Sequence, residues 1–186
     1  MNPNPNMQWN PERLDVRAFA QTGARLEARE ALSRFERLQD EVAPEHATQM
    51  PNIDVAWQAH GEIRPGADGR QADIWLHLVA HTELPLTCQR CLMPCNTPLT
   101  VDRWLRFVAD EAAAEAEDEA CEEDVLALEP KPSLRLLIED ELLMSLPLIP
   151  MHDTCPSPSV LPAAEAQGAV AEPPKHPFAV LAHLKK

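Results

Sequence analysis

Two short segments that contain cysteine and histidine are the part of the sequence best suited to chemistry. Two residues separate Cys88 from Cys91, and two separate His152 from Cys155. A tight turn with this spacing presents two soft donors on one side of the chain, and a tetrahedral Zn²⁺ site needs two such pairs. The spacing therefore predicts a structural Cys₃His zinc site, with Cys95 as a substitute ligand. Reduced cysteines without a metal are the simpler alternative, because spacing alone does not bring the pairs together.

A thiol oxidoreductase is a competing interpretation of Cys88 and Cys91. In thioredoxin-like proteins a C-x-x-C motif lies at the amino end of a helix, where the helix dipole lowers the pKa of the thiol. Here Pro94 and Pro98 follow, and the next predicted element is a strand, so the context is unfavourable. Cys121 lies in a run of acidic residues that disfavours its thiolate, and we expect it to have no chemical role.

The net charge of the chain constrains the class of its partners. The 186 residues include 16 Lys and Arg against 30 Asp and Glu, a formal net charge of −14. Phosphate binding needs a basic surface, so this balance argues against direct non-specific binding of DNA or RNA and favours basic protein partners. The sequence has neither a membrane-spanning apolar run nor a secretory signal at Met1–Pro11, which predicts a cytoplasmic protein without membrane contact.

A long antiparallel hairpin is the clearest structural pattern. Apolar residues alternate with polar ones on both sides of a turn-forming segment at 65–69, which predicts a hairpin over about 53–88 with one buried face. If the turn centres near Ala67, Trp57 faces Leu78 and Val55 faces Ala80. The alternation continues in a third strand, Leu99–Val108.

Helices flank this predicted sheet. The patterns predict a helical turn at Leu14–Ala20, a strand at Ala24–Ala31, and a helix at Arg34–Val42 that opens with a capping box at Ser33. A further helix runs from an N-cap at Ser133 to Leu146. Its predicted apolar stripe consists of Leu134, Leu137, Ile138 and Leu142. The predicted class is α+β.

The chain is predicted to consist of four consecutive segments. Residues 1–11 form a flexible arm, and residues 12–155 form a single α+β domain that contains a disordered acidic loop at 110–124. A Pro-rich linker follows at 156–177, and a short C-terminal helix at 178–186.

Some polar residues on these elements have two interpretations. Glu139 and Asp140 are predicted to form a solvated helix face rather than a catalytic pair. Glu141 lies nearer the apolar stripe, where it would cap a backbone group or pair with a base. The hairpin face opposite the core carries three large side chains, which form either a contact surface or a second core layer. These are Trp75, His77 and His81.

Three motifs in this order resemble one protein family. They are Cys88–Leu92 after a long strand, the segment Ile138–His152 followed by Cys155, and the C-terminal segment Pro177–Lys185. From about Leu14 to its end the chain resembles the YceD family, the large ribosomal RNA subunit accumulation proteins. Many relatives carry more cysteines after the Pro-Leu-x-Pro segment, where this chain has only His152 and Cys155.

The resemblance implies a cytoplasmic protein needed for the synthesis, processing or stability of 23S ribosomal RNA, with no established enzymatic activity. Family genes commonly neighbour a gene for a small ribosomal protein, which implies such a partner. The leading hypothesis is therefore a non-enzymatic ribosome-biogenesis factor that contacts a basic ribosomal or RNA-processing protein. The alternatives are the thiol oxidoreductase and a direct RNA-binding module. The latter would use Arg90, Arg103, Arg106 and Trp104, although the odd spacing of the last two arginines puts them on opposite faces of a strand.

Overall fold

The structure, a computed structural model, describes residues 9–44, 46, 52–66, 72–118, 123–128 and 130–156. The chain divides into two compact units, residues 1–153 and 154–186. All the helices and strands named below belong to the first unit, and in the second the described residues are 154–156. In chain order the elements are α1 Val16–Gln21, β1 Arg25–Ala31, a 3₁₀ turn Leu32–Arg34, α2 Glu36–Asp40, β2 Asp54–Pro65, β3 Ala72–Thr87, β4 Pro94–Val108, α3 Glu111–Asp118, β5 Asp124–Ala127 and α4 Leu134–Met144.

The five strands form one sheet in the order β1-β2-β3-β4-β5. Neighbouring strands are antiparallel except β4 and β5, which are parallel. A parallel pair needs a crossover connection, and α3 lies in the connection between these two strands. The predicted α+β class with an antiparallel hairpin and flanking helices is confirmed, and the short parallel strand is an addition to it.

The hairpin register differs from the predicted one by two residues. Trp57 pairs with Ala80, and Ala59 pairs with Leu78. A slip of one residue would turn every side chain to the other face, whereas a slip of two leaves each side chain on its face. The predicted buried face is therefore correct, and Val55 is fully buried on it.

Helices α1 and α4 cover this buried face. Gly61 of β2 lies against α1, where an added Cβ would stand 2.6 Å from a ring carbon of Phe19 and 2.8 Å from the backbone of Ala20. The absence of a side chain is thus what lets the helix lie this close. In α4 the Ser133 hydroxyl accepts a hydrogen bond from the Leu136 N–H, which confirms the predicted N-cap. Of the predicted stripe, Leu134, Ile138 and Leu142 are buried.

The amino end of α2 is capped from another helix. Ser33 lies in the 3₁₀ turn and Phe35 is the N-cap residue without a side-chain hydrogen bond, so the predicted capping box is wrong. Instead the buried carboxylate of Glu139 accepts the backbone N–H of Arg37 at 2.8 Å and that of Leu38 at 3.3 Å. The Arg37 guanidinium also donates to this carboxylate. The prediction that Glu139 is solvated is therefore wrong.

The predicted acidic loop at 110–124 contains ordered elements in the structure. An alanine-rich stretch forms α3, with the Asp110 carboxylate accepting the Ala113 N–H at 2.9 Å, and Ala114 is buried. Glu117 pairs with Arg106 at 2.6 Å. The Arg106 guanidinium offsets part of the local repulsion between the acidic side chains, and composition alone does not reveal this pairing. Residues 119–122, and with them Cys121, lie outside the described residues.

Several predicted segments lie largely outside the described residues. These are residues 1–8 of the arm, most of the linker and the C-terminal helix at 178–186. The described end of the arm is packed, because the Trp9 and Phe19 rings meet edge to face at 5.3 Å and the Pro11 carbonyl accepts the Leu134 N–H. In the described part of the chain, no helix has both the length and the apolar character needed to cross a membrane.

The cross-helix cap predicts unequal effects for two neighbouring carboxylates. Glu139→Ala should lower the free energy of unfolding by about 2–4 kcal/mol, because it leaves two backbone N–H groups without their acceptor and removes one of the two carboxylates that pair with Arg37. Asp140→Ala should cost less than about 1 kcal/mol, because Asp140 is exposed and its ion pair with Arg37 is screened. Urea unfolding followed by tryptophan fluorescence measures both values, and equal losses would contradict the assigned cap.

Candidate metal centre

A tight turn between β3 and β4 carries the first pair of cysteines. The Cys88 N–H donates to the Met93 carbonyl at 3.0 Å, and the Leu92 N–H donates to the Cys88 carbonyl at 2.9 Å. Leu92 has a φ of 60°, the left-handed conformation that usually belongs to glycine. The chain thus reverses within residues 88–93, and this reversal sets Cys88 and Cys91 on the same turn.

The environment of the Cys88 sulfur favours its ionised form. Burial of this side chain raises the pKa of the thiol, but three backbone N–H groups, those of His152, Cys91 and Arg90, point at the sulfur and lower it. The His152 ring lowers it further, and the net result is a pKa of about 5 for Cys88. The thiolate is the form of cysteine that binds metals.

A second segment lies alongside this turn. The Gln89 N–H donates to the Pro150 carbonyl at 2.9 Å, and the Arg90 guanidinium donates to the His152 carbonyl at 2.7 Å. The His152 Nε2 atom lies 3.0 Å from the Pro94 carbonyl oxygen, which can only accept, so Nε2 carries the proton. The other ring nitrogen, Nδ1, lies 3.4 Å from the Cys91 sulfur. A hydrogen bond from one ring nitrogen to a backbone carbonyl, like that from Nε2 to Pro94, orients histidine ligands in metal sites.

The residues predicted from spacing form a group that could hold a metal ion. One ligand atom each from Cys88, Cys91 and His152 lies within 4.8 Å of the others. Cys155, the fourth predicted ligand, lies in the second unit, and its part in the site stays a prediction. The two soft sulfurs and the imidazole nitrogen of the first unit are donor types that structural zinc sites use.

Cys95 does not belong to this group. It lies in β4 opposite Leu86, and its buried sulfur is 3.9 Å from the Thr97 hydroxyl. The strand begins at Pro94, directly after the turn, so the backbone carries Cys95 into the sheet. The prediction of Cys95 as a substitute ligand therefore has no support in the geometry.

The surroundings of Cys88 and Cys91 differ from those of a redox motif. The turn leads into β4, so among the described residues no helix begins at either sulfur. Cys88 is completely buried, whereas a thiol that exchanges with a substrate disulfide must be reached by it. The geometry thus favours a ligand role over the thiol oxidoreductase.

The residues proposed for direct RNA binding do not form one basic surface. Arg103 pairs with Asp124 and lies 3.5 Å from the buried carboxylate of Glu141, whose pKa is raised by burial despite this cation. Arg106 pairs with Glu117 on the other face of β4. Acidic neighbours thus neutralise both arginines. The two side chains lie on opposite faces of the strand, as the odd spacing predicted.

Trp104 lies in a layer of side chains on the sheet face opposite the core. The Arg64 guanidinium lies 3.8 Å from the centre of the Trp104 ring, and the His77 ring stacks on it at 4.3 Å. Trp75 is buried beside them and His81 is exposed. Each of the two interpretations of this face holds for part of it. Trp75 belongs to a second packed layer, whereas His81 lies at the surface. The stacked Trp104 ring offers little free area to a nucleotide base.

Comparison with known proteins adds one finding. A protein-family model described as "Large ribosomal RNA subunit accumulation protein YceD" matches residues 76–185. The matched segment contains the β3–β4 turn and the segment around His152, and therefore all four potential metal ligands. The predicted resemblance from Leu14 to residue 75 lies outside the match and stays a prediction. No solved structure matches the chain.

Proposed function

Because the chain belongs to the YceD family of large ribosomal RNA subunit accumulation proteins, we propose that it is a non-enzymatic ribosome-biogenesis factor. It acts in the cytoplasm on the synthesis, processing or stability of 23S ribosomal RNA. The observation that carries this proposal is the family match, which spans more than half of the chain. The completely buried Cys88, which argues against a redox role, supports the non-enzymatic part.

The factor reaches the RNA indirectly, through a basic ribosomal or RNA-processing protein. The net charge of −14 repels a phosphate backbone and attracts a cationic protein. The ion pairs of Arg103 and Arg106 with acidic side chains support this route, because they leave little positive potential on either face of β4.

A structural Zn²⁺ bound by Cys88, Cys91, His152 and Cys155 belongs to the same proposal. Four protein ligands leave no open coordination position, so the metal would be structural rather than catalytic. Its contribution would be to hold the β3–β4 turn against the segment at 150–152, with which the turn and the first residue of β4 share three hydrogen bonds. Metal-binding energy would then be part of the folding energy.

The metal proposal predicts one equivalent of zinc in the purified protein. Cys88→Ser should lose this zinc and lower the melting temperature, because a hydroxyl is a poor zinc ligand and the two segments lose their tie. Cys95→Ser is the matched control, since Cys95 is equally buried but lies outside the ligand group. Elemental analysis by mass spectrometry gives the stoichiometry. Metal-free wild-type protein that is unaffected by a chelator would contradict the proposal.

The cellular proposal predicts a defect in large-subunit RNA. Deletion of the gene should lower the amount of 23S relative to 16S ribosomal RNA, or leave immature 23S ends, because the matched family is described as accumulation proteins of the large ribosomal RNA subunit. RNA electrophoresis and mapping of the 23S ends at several growth temperatures measure this, with a plasmid copy of the gene as the control. Normal amounts and normal ends of both RNAs in the deletion strain would reject the proposed function.

The indirect route predicts how the isolated protein binds. Naked 23S RNA should bind with a dissociation constant weaker than ~10⁻⁴ M at physiological salt, because a net charge of −14 opposes the approach of a phosphate backbone. Association with a basic ribosomal protein should weaken as salt rises. Tight, salt-resistant binding of naked RNA would instead establish the direct RNA-binding module.

Charge variants distinguish a specific contribution of the acidic loop at 110–124 to partner binding from the effect of the overall net charge. Because 110–124 contains α3 and the first residue of β5, substitution is a better test than deletion. A triple variant Glu115→Gln, Glu119→Gln and Glu122→Gln should weaken association with the basic protein by roughly three- to tenfold at low salt. The control variant Glu27→Gln, Glu41→Gln and Glu83→Gln removes the same charge from exposed positions elsewhere, and equal effects of the two variants would exclude a specific role for the run.

A further inference from the structure

Large apolar side chains are concentrated on the two neighbouring loops that carry the potential ligands. We call five of them the loop patch: Leu92, Met93, Leu148, Ile149 and Met151. All five are more than half exposed, and Leu148 is completely exposed. The hydrogen bond from Gln89 to Pro150 and that from Arg90 to His152 hold the two loops together. Apolar side chains gathered in this way typically mark a protein interaction site.

Leu92 shows that this exposure is not a by-product of folding. Its φ of 60° is a conformation that glycine adopts freely and leucine adopts only at a cost. Its side chain is 68% exposed, so burial within the unit does little to offset that cost. Glycine would adopt this backbone conformation at a lower free-energy cost. A contact of the Leu92 side chain with a molecule outside the unit would explain why leucine stands here instead.

We propose that the loop patch is the docking surface for a basic protein that presents an apolar segment flanked by lysine or arginine. This inference rests on the proposed function and deepens it by assigning the surface that the basic partner occupies. Leucine, isoleucine and methionine side chains supply the apolar centre that protein interfaces require, and methionine adapts its shape to a partner. The negative charge of the chain supplies long-range attraction and selects a cationic partner.

The same observations argue against other occupants of the loop patch. A second copy of this chain would bring together two molecules of charge −14, which repel each other. An RNA strand would find aliphatic side chains without a stacking plane. The nearest cation, Arg90, already donates to the His152 carbonyl.

Site-specific photo-crosslinking in living cells tests the proposal. A photoreactive p-benzoylphenylalanine is placed at Leu92 or at Leu148, and at the partly exposed Ile63 of β2 as the control. The first two positions should crosslink to a protein of net positive charge, identified by mass spectrometry, and Ile63 should not. Crosslinks to an acidic protein, to RNA or to a second copy would overturn the proposal. So would a yield at the loop patch no higher than at Ile63.

A double variant separates docking from folding. Leu92→Gly together with Leu148→Ser should leave the melting temperature unchanged or raise it, because glycine relieves the strained backbone and serine replaces an exposed side chain. It should nevertheless recover at least fivefold less of the crosslinked partner in a pull-down, whereas Ile63→Ser should recover the wild-type amount. A lower melting temperature with normal recovery would assign the loop patch to folding instead.

The two proposals fail in different experiments. If the double variant restores normal 23S RNA in the deletion strain and recovers the partner normally, the docking surface is rejected and the proposed function stands. If the deletion strain has normal 23S RNA, the proposed function is rejected whatever the loop patch binds.

Discussion

The pairing of β3 with β4 along almost their whole length is the constraint on which the rest of the structure depends. The register runs from Ile74 opposite Phe107 to Thr87 opposite Pro94, so the chain must reverse within the six residues between these strands. Such a short reversal forces Leu92 into a left-handed conformation and leaves backbone N–H groups free to point at the Cys88 sulfur. The Cys88–Cys91 pair of the candidate metal centre, and Leu92 and Met93 of the loop patch, are consequences of this one reversal.

Features that depend on local pattern could be predicted from the sequence. The alternation in the hairpin identified its buried face, and a hydroxyl before an apolar stripe identified the Ser133 cap, because neighbours along the chain determine both. The third strand was predicted to begin at Leu99, because the prolines before that residue argue against a strand. In the structure the strand begins at Pro94. The prolines are tolerated here because β5 reaches only Leu105–Val108 and leaves this end of β4 as an edge. The four potential ligands followed from donor spacing alone.

Features that depend on distant neighbours could not be predicted. Glu139 lies on a helix face that the periodicity assigns to solvent, and only the packing of α2 against α4 makes it a buried cap. The strand β5 is four residues long within an acidic stretch, and its pairing with β4 arises through the crossover helix. Cys95 shows the same limit, because its distance from the other cysteines in space depends on where β4 begins.

The contact between the β3–β4 turn and the segment at 150–152 also orders events during synthesis. A ribosome makes the turn about sixty residues before it makes His152, and closing so long a loop carries an entropic cost. A nascent chain can therefore build the β3–β4 hairpin while the Cys88 sulfur still lacks both the His152 N–H and its imidazole. In that interval Cys88 lacks two of the groups that favour its thiolate, the form that binds metals and reacts with oxidants, so its capacity to bind a metal develops fully only after residue 152 has been made.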